Sequence, residues 1–415
     1  MIIRRLYFVA AVWFGIAGLS FAAKDATQPD QMPAFEVDPS WPKLPNQWAL
    51  GQTPSVAVDR HDHVWILHRP RTVAPGQKAA PAVVEFDAAG NYLSSWGGPG
   101  PGFDWPDSEH GIFVDYKDNF WIGGSSPTST SLTKRSDDML LKFNSKGKFL
   151  LQLGSWDKSG GNADTKSVKR PADAFMAPKT NEIFVADGYG NRRVIVFDAT
   201  TGVFKRQWGA FGNVPLDNAA PPPTAAARAP LENDGPGPQQ FASPVHNVKI
   251  SNDGLVYVAD RSNRRIQIFD VQGKYIDQIF INRAGPSAGS AAGITFSPDR
   301  EQRFMYVADY GNSRILVLRR KPARVLYQFG LRAATAGNFQ GVHFISVDSK
   351  GNLYTAEVLP GNRVQKFLFK GLASAPARQC LDGGAACQRH RATVTPYTLT
   401  PTRLLFVPSS SCNPG

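Results

Sequence analysis

The chain repeats itself, and the repeat decides what it can fold into. The stretch "NEIFVADGYGNRRVIVFDATTGVFKRQWG" (181–209) aligns with "DGLVYVADRSNRRIQIFDVQGKYIDQIF" (253–280), "RFMYVADYGNSRILVLRRKPARVLYQFG" (303–330) and "GNLYTAEVLPGNRVQKF" (351–367). Each copy holds an apolar run ending in Ala-Asp or Ala-Glu, a polar turn, an Asn/Arg pair and a second alternating run. Two looser copies precede them, at 62–97 and 118–154, the second with an inserted polar loop. A further short apolar run stands before each copy, such as "SVAVD" (55–59), "GIFVD" (111–115) or "HFISVD" (343–348). Short runs of period-two alternation separated by turns are strands. The unit is therefore four strands, and there are six units. Repeats of this kind bury a core only by stacking on one another, and four-stranded units in radial array form a propeller. The predicted fold is all-β, a single six-bladed β-propeller over 23–371.

Open sheet edges invite aggregation, so the ring should close. The last unit stops after its third strand near Phe367, and "PNQWALG" (45–51) echoes "KRQWGAFG" (205–212). An N-terminal segment, read from this echo, is expected to supply the missing outer strand. The Pro/Ala-rich stretch 214–238 is expected to be a long loop within the ring.

One polar residue interrupts the pattern. In "SPVHNVKIS" (243–251), His246 sits where the first strand of the fourth unit begins. It precedes Ser251, at that strand's end, by five residues; His110 precedes Asp115 by five, and His343 precedes Asp348 by five. One slot thus holds histidine in units two, four and six, with Pro54, Asp173 and Ala292 near it in the others. Innermost strands line a propeller's channel, and alternate blades of a six-fold ring are related by a three-fold rotation. Three imidazoles should converge on the axis. A lone histidine at a strand end is ordinarily a satisfied core or turn residue. Three in register point to a metal, and three neutral imidazoles with an open fourth position are the ligand set of a catalytic zinc. Such a metal polarises a substrate oxygen or activates a bound hydroxyl.

The loops joining second to third strands return to the same rim. They carry His68-Arg69, Tyr189, Arg261 and Tyr310. A phenol facing cationic groups can serve as a base, and Arg69 or Arg261 can clamp a carboxylate bidentately. Each taken singly is equally an ordinary surface turn residue.

The ends carry a different message. Arg4 and Arg5, an apolar run and Ser20-Phe21-Ala22 before Ala23 form a secretory signal peptide over 1–22. The rival reading is an uncleaved anchor, but the run is short for a span. The expected protein is secreted or periplasmic, with no membrane attachment after cleavage, and acts as a monomer. Its formal charge of +12 falls to +10 once Arg4 and Arg5 are removed. Lys and Arg are scattered, so no nucleic-acid surface is expected. Cys380, Cys387 and Cys412 lie in a C-terminal tail, 372–415, where one disulfide and one spare thiol are expected.

The motifs "VADGYGNRRVIVFD", "VADRSNRRIQIFD" and "VADYGNSRILVLR" resemble NHL repeats. Over roughly 50–370 the chain also resembles the peptidyl-α-hydroxyglycine α-amidating lyase family. The marks are the "LHRP" turn, "DGYGNRR", "VADRSNRRIQIF" and the three spaced histidines. The resemblance implies a zinc site at His110, His246 and His343, a catalytic base at Tyr189, and substrate binding or activation by Arg69 and Arg261. The implied substrate is a small molecule or peptide ending in α-hydroxyglycine, cleaved at its C–N bond to an amide and glyoxylate. Phe344 stands where the family usually has an aspartate that helps hold calcium, so calcium is left open. Gly341 replaces a common methionine, and Gly190 a cysteine of animal members. No second domain resembles the copper monooxygenase that makes the hydroxyglycine. A non-catalytic exported propeller binding peptide or glycan is the alternative. A calcium-dependent hydrolase fits a histidine triad poorly.

Overall fold

Strands whose apolar residues alternate must bury one face against another sheet. The computed structural model, which describes residues 31–217, 235–283 and 289–374, does this with six four-stranded antiparallel sheets among those residues. In blade three, Asp173–Ala177 is innermost, followed outward by Glu182–Asp187, Arg193–Asp198 and Phe204–Trp208. Each innermost strand touches the next round the ring, and that of blade six (Val342–Val347) touches that of blade one (Ser55–Val58). Six apolar clusters fill the seams, each drawn chiefly from two neighbouring blades. Between blades one and two, for example, Trp65 and Phe120 meet edge to face at 4.4 Å. Burying one such large side chain is worth about 1.5–3 kcal/mol, so the seams hold the ring.

An N-terminal strand closes the ring, but not the one read from the tryptophan echo. Gln31–Asp38 pairs along Arg363–Ser374 as the outer strand of blade six, from Gln31 opposite Ser374 to Asp38 opposite Lys366. Met32 and Phe35 turn inward, and Phe35 meets Tyr306 edge to face at 5.6 Å. The stretch 45–51 cannot run as an outer strand, because Asn46 and Gln47 have left-handed backbone (φ 56° and 57°). Its Trp48–Ala49 instead pairs in parallel with Lys78–Ala79. The signal peptide, the middle of the 214–238 loop and the three tail cysteines lie outside the described residues. Among the described residues no helix is long and apolar enough to cross a membrane.

The repeated Ala-Asp…Asn-Arg motif explains how each blade is delivered to the axis. Asp187, Asp260, Asp309 and Glu357 end second strands, directly opposite Arg193, Arg265, Arg314 and Arg363 on the third. The four ion pairs measure 2.8–2.9 Å. Asn191, Asn263 and Asn312 donate Nδ2 to the same carboxylates. Asp187, Asp260 and Glu357 also accept backbone N–H groups from the crossover leading into their own blade, at Lys169, Ala242 and Gln340 respectively. Arg193 returns bonds to the Asn162 and Ser167 carbonyls, and Arg265 to those of Pro236 and Pro238. The motif is a clamp on the crossover.

Blades one and two lack the motif and use other residues for the same task. Asp137 accepts the Asp107 and Ser108 N–H groups at 2.8 and 2.9 Å. His68 accepts Gly51 N–H at Nδ1 (3.1 Å), and its Nε2 bonds the Ala80 and Pro81 carbonyls (3.1 and 3.0 Å). His68 is therefore a buried clamp residue and not part of the rim.

Burial pulls the His68 imidazole down to about 4, from an ordinary value of 6.5. The unfolded chain takes up a proton below pH 6.5 that the folded chain refuses until about pH 4. His68 thus supports folding fully above pH 6.5, and that support drains away as pH falls. At pH 5 the loss is about 2 kcal/mol. His68→Gln should flatten the difference in urea stability between pH 7 and pH 5 by this amount. An unchanged pH dependence would contradict the assignment.

Candidate metal centre

A regular strand would point a rim residue up or down its sheet; a bulge re-aims it. In blade four the register passes from Val245 opposite Asp260 to Asn247 opposite Ala259, leaving His246 as the extra residue. Blade six does the same at His343, between Val342 and Phe344. Blade two has its irregularity between Glu109 and Ile112, spanning His110. All three imidazoles are buried, with exposures of 1% for His110, 0% for His246 and 3% for His343.

The three blades without histidine hold the rings in place. His110 Nδ1 lies 2.7 Å from Ala172 O, His246 Nδ1 2.7 Å from Ala292 O, and His343 Nδ1 2.7 Å from Pro54 O. A carbonyl oxygen only accepts, so each neutral ring carries its proton on Nδ1 and presents a bare Nε2. The three ligand nitrogens lie within 4.8 Å of one another, and those of His246 and His343 are 3.1 Å apart. Two bare lone pairs cannot bond to each other. The arrangement is complementary to a cation between them, with the carbonyls as the outer support usual for metal-bound histidine. Burial first, and Arg261 with it, hold all three rings well below the ordinary histidine range, His343 at about 3; the neighbouring imidazoles add to this at His110 and His246. They stay neutral, as ligands must.

The other rim residues gather on these nitrogens. Tyr189 Oη is 2.9 Å from His110 Nε2 and 3.2 Å from His246 Nε2, and Arg261 Nη1 is 3.4 Å from the same oxygen. Gly188 makes this reach feasible: a Cβ there would lie 1.9 Å from Val245 O, so only glycine lets the Tyr189 turn lie on the His246 strand.

The two arginines are not equivalent. Arg69 is spent on the protein, donating to Glu109 O (2.9 Å), Gln52 Oε1 (2.6 Å) and Ser125 Oγ (3.3 Å), and burial pulls it down to about 10. Its bond to Glu109 steadies the strand end that carries His110. Arg261 donates Nη1 to Tyr189 Oη at 3.4 Å and has a buried Nε with no partner, so more of its donor capacity than that of Arg69 is left for an anion.

Phe344 closes the channel below, its ring centroid 5.1–5.7 Å from each of the three imidazoles. An aromatic floor offers no oxygen to calcium. Asp173, one layer down, is already engaged by Asn247 Nδ2 (2.7 Å), Val248 N (3.3 Å) and Lys249 Nζ (3.6 Å), and burial pushes it up to about 6. Among the described residues one further acid/histidine group is close enough to hold a metal, Asp59, His63 and Glu85. There His63 Nδ1 lies 2.9 Å from Glu85 Oε1 and the imidazole is 37% exposed.

Above the histidines lies a cavity of about 220 Å³, lined by Arg69, Tyr189, Arg261 and Tyr310 together with residues the sequence reading passed over. Ser125 and Thr128 come from the second-to-third-strand loop of blade two, Val358 and Leu359 from that of blade six. The rule that found Tyr189 would have found them had it been extended to those blades. Arg170 is the other omission: its guanidinium lies 5.8 Å from the Tyr189 ring centroid and donates to Ser125 O and Pro127 O. A larger groove of about 820 Å³, lined by Arg300, Arg303 and Arg320, belongs to the opposite face and is remote from this chemistry.

No protein-family model matches the chain. It is 27% identical over 350 residues to NHL repeat-containing protein 3 of Mus musculus, across 81% of this chain and 84% of that protein. It is 26% identical over 369 residues to peptidyl-α-hydroxyglycine α-amidating lyase 1 of Drosophila melanogaster, across 80% of this chain and 60% of that protein. With peptidyl-glycine α-amidating monooxygenase B of Xenopus laevis it shares 29% over 264 residues, which is 59% of this chain but 26% of that protein. The chain is a six-bladed β-propeller with NHL repeat-containing proteins and peptidyl-α-hydroxyglycine α-amidating lyases among its homologues, at modest identity.

Proposed function

We propose that the chain is an exported, monomeric zinc-dependent lyase that cleaves the N–C bond of an α-hydroxyglycine-type substrate to an amide and glyoxylate. The observation that carries this reading is the convergence of three bare Nε2 atoms with Tyr189 Oη at 2.9 Å from one of them. Zinc fits that donor set: a tetrahedral ion with bonds of ~2.0–2.1 Å sets its nitrogens ~3.3–3.4 Å apart, close to the 3.1 Å between His246 and His343. The neutral nitrogens and aromatic floor suit it better than a hard, oxygen-seeking cation.

Zinc supplies Lewis acidity, polarising a substrate oxygen. The protein supplies the rest. Arg261 clamps the substrate carboxylate with the donors it does not spend on Tyr189. The step requires Tyr189 to enter it as the phenolate, its own proton having left to solvent; Tyr189 Oη then receives the α-hydroxyl proton. The oxygen's electron pair becomes the C=O of glyoxylate as the Cα–N bond breaks, its electrons passing to nitrogen. Tyr189 then returns a proton to that nitrogen, giving the amide. Arg69 holds Glu109, and through it His110, in place.

The test is metal analysis of the purified protein alongside glyoxylate release from N-benzoyl-α-hydroxyglycine. One zinc per chain and turnover are expected. Tyr189→Phe should keep the metal and lose roughly 10²–10⁴-fold in kcat. A protein that holds no zinc, or holds it and releases no glyoxylate, would instead favour a non-catalytic binding propeller, the alternative kept open by the similarity to NHL repeat-containing protein 3.

A further inference from the structure

The cavity over the histidines has two unlike walls. Ser125 and Thr128 face it from blade two, in a hydroxyl cluster that includes Ser108 Oγ and Ser131 Oγ (3.1–3.4 Å). Tyr310, Val358 and Leu359 face it from blades five and six, across the ring. Leu359 is 52% exposed, yet its position is set by backbone. Val358 N–H donates to Gly341 O (3.0 Å) and Gly361 N–H to Gln340 O (3.0 Å). Gly341, with φ +98°, lets the turn pass close: a Cβ there would lie 2.7 Å from Leu359 O. A large apolar side chain is thus presented at the mouth of a polar site without being covered by the protein. A scattered surface leucine needs no explanation. One that joins a tyrosine and a valine along a single cavity wall does.

The substrate's own geometry says what meets that wall. In an α-hydroxyglycine the carboxylate, the hydroxyl and the acylated nitrogen leave one carbon. With the carboxylate on Arg261 and the hydroxyl at Tyr189, the acyl group is directed to the remaining sides of the cavity. The hydroxyls of Ser125 and Thr128 suit the amide group, and the apolar wall suits what the amide carries. Resting on the lyase reading, we propose that Tyr310, Val358 and Leu359 form an apolar subsite that selects substrates with an aromatic or aliphatic acyl group on the scissile nitrogen.

The test compares benzoyl with acetyl. N-benzoyl-α-hydroxyglycine should exceed N-acetyl-α-hydroxyglycine in kcat/KM by about tenfold or more, the effect of a few buried carbons in a pocket. Leu359→Ser should reduce that ratio to within about twofold. Leu132→Ser, at a leucine 75% exposed on the blade-two loop and absent from the cavity lining, should leave it intact. Calorimetry with the unreactive N-benzoylglycine and N-acetylglycine should show the same ratio and the same loss in Leu359→Ser, without turnover. Turnover with an equal ratio in wild type and Leu359→Ser overturns the subsite and leaves the lyase standing. Absence of glyoxylate from both substrates overturns the lyase, and this assignment with it.

Discussion

His246→Ala should cost the protein its metal and its measurable turnover while leaving the metal-free fold as stable as before. The reason is the pairing of bare nitrogens. His246 Nε2 lies 3.1 Å from His343 Nε2, and both rings spend their only proton on a carbonyl of the neighbouring blade. Without a cation, these lone pairs face each other between buried side chains. Deleting one ring relieves that repulsion, which offsets the lost packing and the lost bond to Ala292 O. With zinc present the balance reverses, because a ligand that binds only the folded state stabilises it by RT ln(1 + [L]/Kd). Zinc should therefore raise the Tm of wild type and leave that of His246→Ala unmoved, and bound zinc should fall by at least tenfold. Equal zinc content in the two proteins would remove His246 from the ligand set. An equal Tm rise would do the same by an independent route.

Much of this site is legible in the sequence, and the limits of that legibility have physical causes. The slot shared by His110, His246 and His343 could be counted because strands of fixed length repeat at fixed spacing, and the structure does bring the three together. The bulges that aim them could not, since one unpaired residue in a strand has no local signature in "SPVHNVKIS". The closing strand was misplaced because a shared tryptophan outweighed the left-handed Asn46-Gln47 pair beside it. His68 and Arg69 are adjacent in sequence and belong to one turn. Burial separates them: the imidazole turns into the blade to cap Gly51 N–H, while the guanidinium crosses to blade two. Arg170 carried no signal, being one arginine before a proline whose left-handed backbone (φ 57°) is a product of the tertiary fold.

Asp187→Ala should destabilise the protein by about 3–5 kcal/mol and disarm the site as well. Asp187 and Arg193 are both fully buried and 2.8 Å apart. With the carboxylate gone, the guanidinium stays inside, held by the Asn162 and Ser167 carbonyls and Gln207 Oε1, with no counter-charge. Lys169 N–H and Asn191 Nδ2 lose their acceptor too. The cost comes from stranding a charge more than from losing an attraction, so the double variant Asp187→Leu/Arg193→Met should lose less than Asp187→Ala alone. Asp187 also ends the strand from which the Gly188-Tyr189 turn springs, and its bond to Lys169 N–H anchors the crossover against which that turn lies. Asp187→Ala should therefore lower kcat more than zinc content, since of the three histidines only His110 leans on this crossover, through Ala172 O, while His246 and His343 are held from other blades. Urea unfolding of the three proteins decides the energetics. A loss under about 1 kcal/mol, or a double variant worse than the single, would show that the repeat's Asp–Arg pair is ornamental to stability. Zinc lost together with activity would mean that the clamp holds the metal and not the tyrosine.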